Sequence, residues 1–279
     1  MVYNMIRQGN NIFNIGGSIP CLFDLDASKV IEAVRSTGVV ITPAMRHYAH
    51  YLISNMKNIG TWQLSNAVYG FVGGTANSHK FNWKDLRDVD AAFRLTFVGG
   101  VTHSANGMQG NGTTGYANTF LVPNTNLSTS INLGIYTRSS QYDTLDCLGA
   151  YRLGEPTVRM IIRASSYTNI ATGLTSLSSN DRVDSAAILS KGYYAMNSNS
   201  TALQNWFNGN LISGTNTSYG VAGKSTRSFT LGAIGEGTSG SFYSNRNFAF
   251  TSIGSGFTNT QSLQQSQIIN NAQAILNRL

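Results

Sequence analysis

The chain has 279 residues, 41% of them hydrophobic and only 11% charged, with a formal net charge of +7. An average globular chain carries roughly 25% charged residues, so polar but uncharged turns and surfaces are expected here. No run of about 18 apolar residues is present to span a membrane, and the cations are scattered, none closer to a cluster than Arg159 and Arg163; neither membrane insertion nor a nucleic-acid partner is expected.

Residues 1–23 alternate short apolar and polar runs, broken by Gly16, Gly17 and Pro20. They read as an extended N-terminal arm that could add to a sheet edge in its own chain or a neighbour's. Met1 to Gly9 lack the apolar stretch of a secretory signal, so synthesis in a cytoplasm is expected. A helical hairpin is predicted over 24–62. In its first helix Asp26 is the expected cap, Val30, Ile31 and Val34 share a face, and Gly38 is the stop. In the second, Thr42 caps and Pro43 takes the first helical position. Met45, Tyr48, Ala49, Leu52, Ile53 and Met56 then recur at helical spacing up to Gly60.

Residues 63–279 are predicted to form a β-sandwich that ends in a helix. From about Gly70, short apolar runs alternate with polar residues between Gly, Asn, Ser and Thr, as in Ala92–Phe97, Ile131–Tyr136, Val158–Arg163 and Phe229–Leu231. Many short strands of this kind imply a sandwich or jelly roll. The Ser/Thr/Asn/Gly-rich stretch near 164–180 is the predicted loop. The final helix, 261–279, has Thr260 as its expected cap and a stripe of Leu263, Ile269, Ala272, Ile275, Leu276 and Leu279. Its other face, Gln and Asn, is expected to meet solvent or a neighbouring subunit. Cys21 and Cys147 are in no metal or redox spacing and read as buried free thiols.

Three passages in order resemble concanavalin A-like or laminin G-like domains. Gly110-Asn111-Gly112-Thr113-Thr114-Gly115-Tyr116-Ala117-Asn118-Thr119 resembles the family's turn and strand, whose Tyr returns to the core. Leu203-Gln204-Asn205-Trp206-Phe207-Asn208-Gly209-Asn210-Leu211 resembles its hairpin, with Asn-Gly suited to a type I′ turn. Phe229 to Ala233, Gly240 to Tyr243 and Phe248 to Gly254, followed by the terminal helix, resemble its closing strands. A second, more local likeness runs from Lys57 to Trp62, then Tyr69 to Asn82 and Asp85 to Leu95. It resembles a block of tailed-phage virion proteins that joins a helical segment to a concanavalin A-like domain, although Gly70 stands where that pattern usually has Pro and Thr61 where it has Leu or Ile.

What these resemblances imply is a phage virion structural protein: a head decoration, fibre or tail component. Its expected partners are other virion proteins and copies of itself, with a homo-oligomer, for example a trimer, as the product. The rival reading is an adhesin for host-surface glycans. No cofactor, metal or catalytic residue is assigned. Glycosidases need two facing carboxylates, and the three Glu, at 32, 155 and 236, show no such spacing. Asp85, Asp88 and Asp90 read as turn caps and ion pairs to Arg87 and Arg94 rather than a cation loop. Asp143 with Asp146 and Asp181 with Asp184 are weaker pairs of the same kind. His47 and His50 read as a surface or interface pair, and His79 as a hydrogen-bonding anchor of its loop. Tyr142, Tyr151, Tyr167, Tyr193, Tyr194 and Tyr243 are the aromatic candidates for stacking on a sugar, none of them singled out.

Overall fold

The computed structural model describes residues 24–140, 147–152, 154–155, 157–162, 169–174, 182–186, 191–199, 202–212, 224–236 and 239–279, with two short strands before them, Arg7–Gln8 and Asn11–Ile12. Those two strands pair with each other, Arg7 opposite Ile12; the rest of the expected arm lies outside the described residues.

Two antiparallel sheets dominate, as the sequence predicts. A seven-stranded sheet runs in the order Arg182–Ala186, Asn169–Leu174, Val158–Ile161, Leu148–Ala150, Thr230–Leu231, Tyr116–Asn118, Thr96–Val98. An eight-stranded sheet runs Asn210–Leu211, Ala202–Phe207, Gly192–Asn199, Ile131–Thr137, Asn247–Gly254, Gly107–Gln109, Thr102–Ser104, and Ser65–Tyr69 also pairs with Asn247–Gly254. The stretch near 164–180 is therefore not simply a loop. Asn169–Leu174 pairs on both sides, with Val158–Ile161 and with Arg182–Ala186.

The eight-stranded sheet is the middle of three layers. Successive side chains of a strand point to opposite faces, and here both faces are covered. Leu133, Ile135, Tyr194, Met196, Leu203 and Phe248 meet Leu148, Met160 and Leu231 between the sheets. On the other face Tyr136, Tyr193, Ala195, Trp206 and Phe250 meet Val30, Ile31, Leu52, Ile53, Ile269 and Ala272 of the helices. Burial on both faces explains why Phe248-Ala249-Phe250 is an unbroken apolar run rather than an alternating one. A buried Phe or Leu of this kind contributes about 1.5–3 kcal/mol by leaving water.

The helices are Leu25–Ser36, Pro43–Asn58 and Asn259–Ile275, with shorter turns at Thr61–Leu64, Ala76–His79 and Pro123–Asn126. Thr42 and Pro43 start the second helix as predicted, the Thr hydroxyl accepting from Met45 N–H. The first cap is Asp24, not Asp26. Its Oδ1 accepts from the N–H groups of Asp26 and Ala27 at 2.9 and 3.1 Å, while Asp26 lies in the first turn and pairs with Lys57 at 2.7 Å. At the last helix Thr258, not Thr260, caps, and it forms a reciprocal box with Gln261.

The predicted apolar stripe of that last helix is also corrected. Leu263 and Leu279 are 42% and 63% exposed, whereas Ser262, Gln265, Ser266 and Gln273 face inward. Part of their polar surface is bonded: Thr61 Oγ1 donates to Gln265 Oε1 at 2.6 Å, Gln273 Nε2 donates to Tyr48 Oη at 3.2 Å and Ser266 Oγ donates to Ser262 O at 2.9 Å, whereas Ser262 Oγ, Gln265 Nε2 and Gln273 Oε1 are buried without a protein partner among the described residues. Beyond the helix Asn277 takes a left-handed turn and sends Arg278 inside. Its guanidinium donates to the carbonyls of Phe71, Ala105, Ala249 and Gly70 at 2.7–3.4 Å, so the planar donor fork is matched by main chain alone.

The predicted strand at Ala92–Phe97 begins late. Asp90–Ala92 is a 3-10 turn, Phe93 is left-handed at φ 58°, and pairing starts only at Thr96. Tyr69 Oη donates to Phe93 O at 2.5 Å and holds that kink. Asn82 completes the loop, accepting from Val68 and Lys84 N–H and donating to the carbonyls of Asn66 and Ala92. Gly70 is needed here for space: a Cβ on it would stand 2.2 Å from the Trp83 ring.

Candidate aromatic platform on the seven-stranded sheet

The outer face of the seven-stranded sheet carries the helices of neither hairpin nor C-terminus, which all pack on the middle layer. In Tyr116–Asn118 it is Ala117 that enters the inter-sheet core, so Tyr116 faces outward. Tyr116 is buried, as the sequence leads one to expect, but on the face of its strand opposite to Ala117 and outside the two hydrophobic clusters. Val98, directly across the ladder, is 38% exposed.

The chain leaves Leu231 through Gly232, left-handed at φ 82°, and returns so that Ser244 N–H donates to Gly232 O at 2.8 Å. This return brings the Tyr243 ring 6.1 Å from that of Tyr116, tilted by 45°. Burial, helped by the neighbouring Tyr243, raises the Tyr116 hydroxyl above its ordinary pKa, so it stays a neutral donor. Phe242, which precedes Tyr243 in the chain, is 57% exposed and left-handed at φ 53°. Bulky residues rarely take that conformation, and it costs roughly 1–2 kcal/mol. The loop is fixed at its far end, where the buried Arg246 donates to Ile162 O at 2.6 Å and Asn247 N–H to Ser139 Oγ at 2.8 Å.

A polar turn lies alongside. Asn111 Oδ1 accepts from the N–H groups of Thr113, Thr114 and Gly115 at 3.0, 2.9 and 2.9 Å, and Asn111 Nδ2 donates to Thr114 Oγ1. Asn245 Cβ is 3.3 Å from where a Gly112 Cβ would stand, and Gln109 Nε2 donates to Asn245 O. Asn111, Thr113, Thr114, Gln109 and Asn245 are all exposed. An exposed ring on a pinned loop, rimmed by amides and hydroxyls, can stack on an apolar ligand face and hydrogen-bond its edges.

Of the tyrosines considered from sequence that fall among the described residues, only Tyr243 joins this platform. Tyr193 and Tyr194 are buried in the two cores, Tyr151 is half-buried at the end of Leu148–Ala150, and Tyr142 and Tyr167 lie outside the described residues. Phe242 was not singled out, because in sequence it is one more apolar residue in a strand-like run; only its exposure sets it apart.

The remaining expected residues are accounted for structurally. Asp85 pairs with Arg87, Asp88 with Lys80 and Arg94, and Asp90 with Arg94, and hydrogen bonds from Arg87 and Lys80 hold the Asp85 and Asp88 carboxyls below the usual range. Glu32 pairs with Arg35, and Glu155 with Arg152 and Thr226. Asp143, Asp146 and Asp181 fall outside the described residues, as does the side chain of Asp184. His47 is half-buried; His50, expected at the surface, is buried, its Nδ1 accepting from Asp24 N–H and so tying the two helices together. His79 anchors its loop, Nε2 accepting from Gly74 N–H at 3.0 Å, and its Nδ1 is 3.0 Å from His103 Nδ1. Cys147 is a buried thiol outside any disulfide; Cys21 lies outside the described residues.

No family model matches the chain, and no curated protein matches it by sequence. Solved structures do match. Domain 4 of AbnA, an extracellular GH43 arabinanase from Geobacillus stearothermophilus seen in complex with arabinotriose, aligns with a TM-score of 0.51 and 16% identity over 73% of this chain and 98% of that one. The CBM40 of a Ruminococcus gnavus IT-sialidase, bound to α2,6 sialyllactose, gives 0.37 and 11% over 49% and 82%. The binding domain of botulinum neurotoxin DC, in complex with rat synaptotagmin II, gives 0.47 and 10% over 76% and 52%. At such identities the likeness to the arabinanase domain shows a shared β-sandwich fold.

Proposed function

We propose that the protein is a non-catalytic glycan-binding module, and that Phe242 and Tyr243 form its sugar-stacking platform. The observation that carries this reading is Phe242, held exposed in a strained backbone beside the Tyr243–Tyr116 pair. An apolar ring kept in water at a conformational cost is a feature that binding repays. The rim of Asn111, Thr113, Thr114 and Asn245 suits the hydroxyls of a neutral sugar. The arabinanase domain of the same fold holds arabinotriose, which is a neutral oligosaccharide.

In this reading the module is carried on a phage particle and assembles with copies of itself and other virion proteins. That part rests on the sequence resemblance of residues 57–95 alone. The test is a glycan array with the full chain, followed by titration of the best ligand against Phe242→Ala and Tyr243→Ala. Loss of one well-formed aromatic stack, worth about 1 kcal/mol, lowers affinity about fivefold to tenfold. Unchanged affinity in both variants refutes the platform.

A further inference from the structure

A ligand-sized concavity lies on the other side of the molecule's middle sheet, against the helical layer. It is a groove of about 510 Å3 between the first helix and the loop that follows Phe81, lined by Asp26, Lys29, Trp62, Trp83, Lys84 and Arg87 among others. Leu86 also lines a second basin of about 460 Å3 that reaches Ser36 and Thr37 at the far end of the same helix. Asp26 in the first basin and Thr37 in the second are eleven residues apart, about 16 Å along the helix at a rise of 1.5 Å per residue.

Its charges are unevenly matched. Asp26 is taken by Lys57 and Lys29, and Asp85 by Arg87. Lys84 has no carboxylate within ion-pair distance among the described residues. Its ammonium donates to Trp62 O at 2.6 Å and sits 4.3 Å from the centre of the Trp62 ring. That one carbonyl accepts one of three N–H donors. Lys84 is half-buried, and burial lowers its pKa, an effect that the charge of Asp26 only partly offsets, so an anion arriving beside it would relieve a desolvation cost already present.

We propose that this groove is a subsite for a carboxylate-bearing sugar, the acid group received by Lys84 and the ring lying against Leu86 and the indole edges of the groove floor. A single negative charge is the best match. Asp26 and Asp85 line the same basin, so they repel a phosphate dianion yet can accept hydrogen bonds from sugar hydroxyls. The identity of the ligand's body as a sugar rests on the glycan-binding reading above; the carboxylate rests on Lys84.

The experiment titrates an oligogalacturonate and a neutral oligosaccharide of equal length into the wild-type chain, Lys84→Met, Lys84→Arg and Phe242→Ala, with melting curves to establish that each variant is folded. The expected result is wild-type binding of the uronide, weakened at least tenfold in Lys84→Met as one charge-assisted hydrogen bond is lost, largely kept in Lys84→Arg and kept in Phe242→Ala. Equal uronide affinity in Lys84→Met and wild type overturns the proposal. So does wild-type binding of the neutral sugar alone; if Phe242→Ala abolishes that binding, the platform stands while the acidic subsite falls. Loss of uronide binding in Phe242→Ala but not in Lys84→Met assigns the acid to the platform and also overturns it.

Discussion

Acid should loosen the joint between the loop at Gly73–His79 and the Thr102–Gln109 hairpin, and the hydrogen bonds fix the sign. Gly74 N–H donates to His79 Nε2, so that nitrogen carries a lone pair and the His79 proton sits on Nδ1. Nδ1 then donates to His103 Nδ1, 3.0 Å away, which must be unprotonated. Both rings are therefore neutral, and a further proton on either sets two N–H groups against each other. Burial lowers the His79 pKa well below the ordinary value of about 6.5, helped by His103 and by the cation of Arg278 behind it; burial also lowers His103. Arg278 is the charged group facing the pair from the C-terminal tail, with Phe71 and Phe97 against the rings.

The unfolded chain thus takes up protons near pH 6.5 that the folded chain refuses. The stabilisation is fully present above that pH and is lost as pH falls toward the depressed folded values. Each fully linked histidine gives a slope of at most about 1.4 kcal/mol per pH unit. Urea unfolding at intervals from pH 7.5 to 5 measures it, in wild type and in His79→Gln, which keeps polar atoms but cannot titrate. The window stops at pH 5 because the ion-paired Asp26, Asp85 and Asp88 titrate below it. Wild type should lose stability between pH 6.5 and 5 about 1 kcal/mol per unit more steeply than the variant. Parallel curves for the two proteins would refute the tautomer argument.

Two further outcomes follow from the same structure. Arg278→Ala strips donors from four carbonyls in a buried site, at a cost of about 3 kcal/mol or more; Arg278→Lys should recover only part of this, since an ammonium lacks the planar fork, and thermal denaturation of both variants measures the difference. Phe242→Gly should leave stability unchanged or raise it by up to about 1 kcal/mol, because glycine accepts the left-handed backbone and little packing is lost; a chemical denaturation midpoint well below wild type would mean that Phe242 serves the fold rather than a ligand.

The binary pattern and the helix signals carried most of the fold. Thr42-Pro43 sets a helix start wherever it folds, because the Thr oxygen and the missing Pro N–H act locally. Asn208-Gly209 likewise makes its hairpin turn alone, with φ of 46° and 86°. The caps at Asp24 and Thr258 were displaced by two residues, since neighbouring Asp26 and Thr260 offer the same chemistry and only the packed register of each helix selects between them.

The candidate sites were far less legible, and the physical reason is the same in each case. Which face of a strand meets solvent depends on what else covers it, so Tyr193 and Tyr243 look alike in sequence, yet one lies under the helices and the other beside Phe242. Gln265 and Gln273 read as surface residues until Thr61 and Tyr48, some two hundred residues away, are found as their partners. Lys84 is one scattered cation among many until the ion pairs claim Lys57, Lys80, Arg87 and Arg94 and leave it in a groove whose carboxylates, Asp26 and Asp85, are paired with other cations. The sequence by itself determined local conformation and the β-rich, three-helix composition of the layers. Tertiary structure decided exposure and charge matching, because both are properties of contacts between segments distant in the chain.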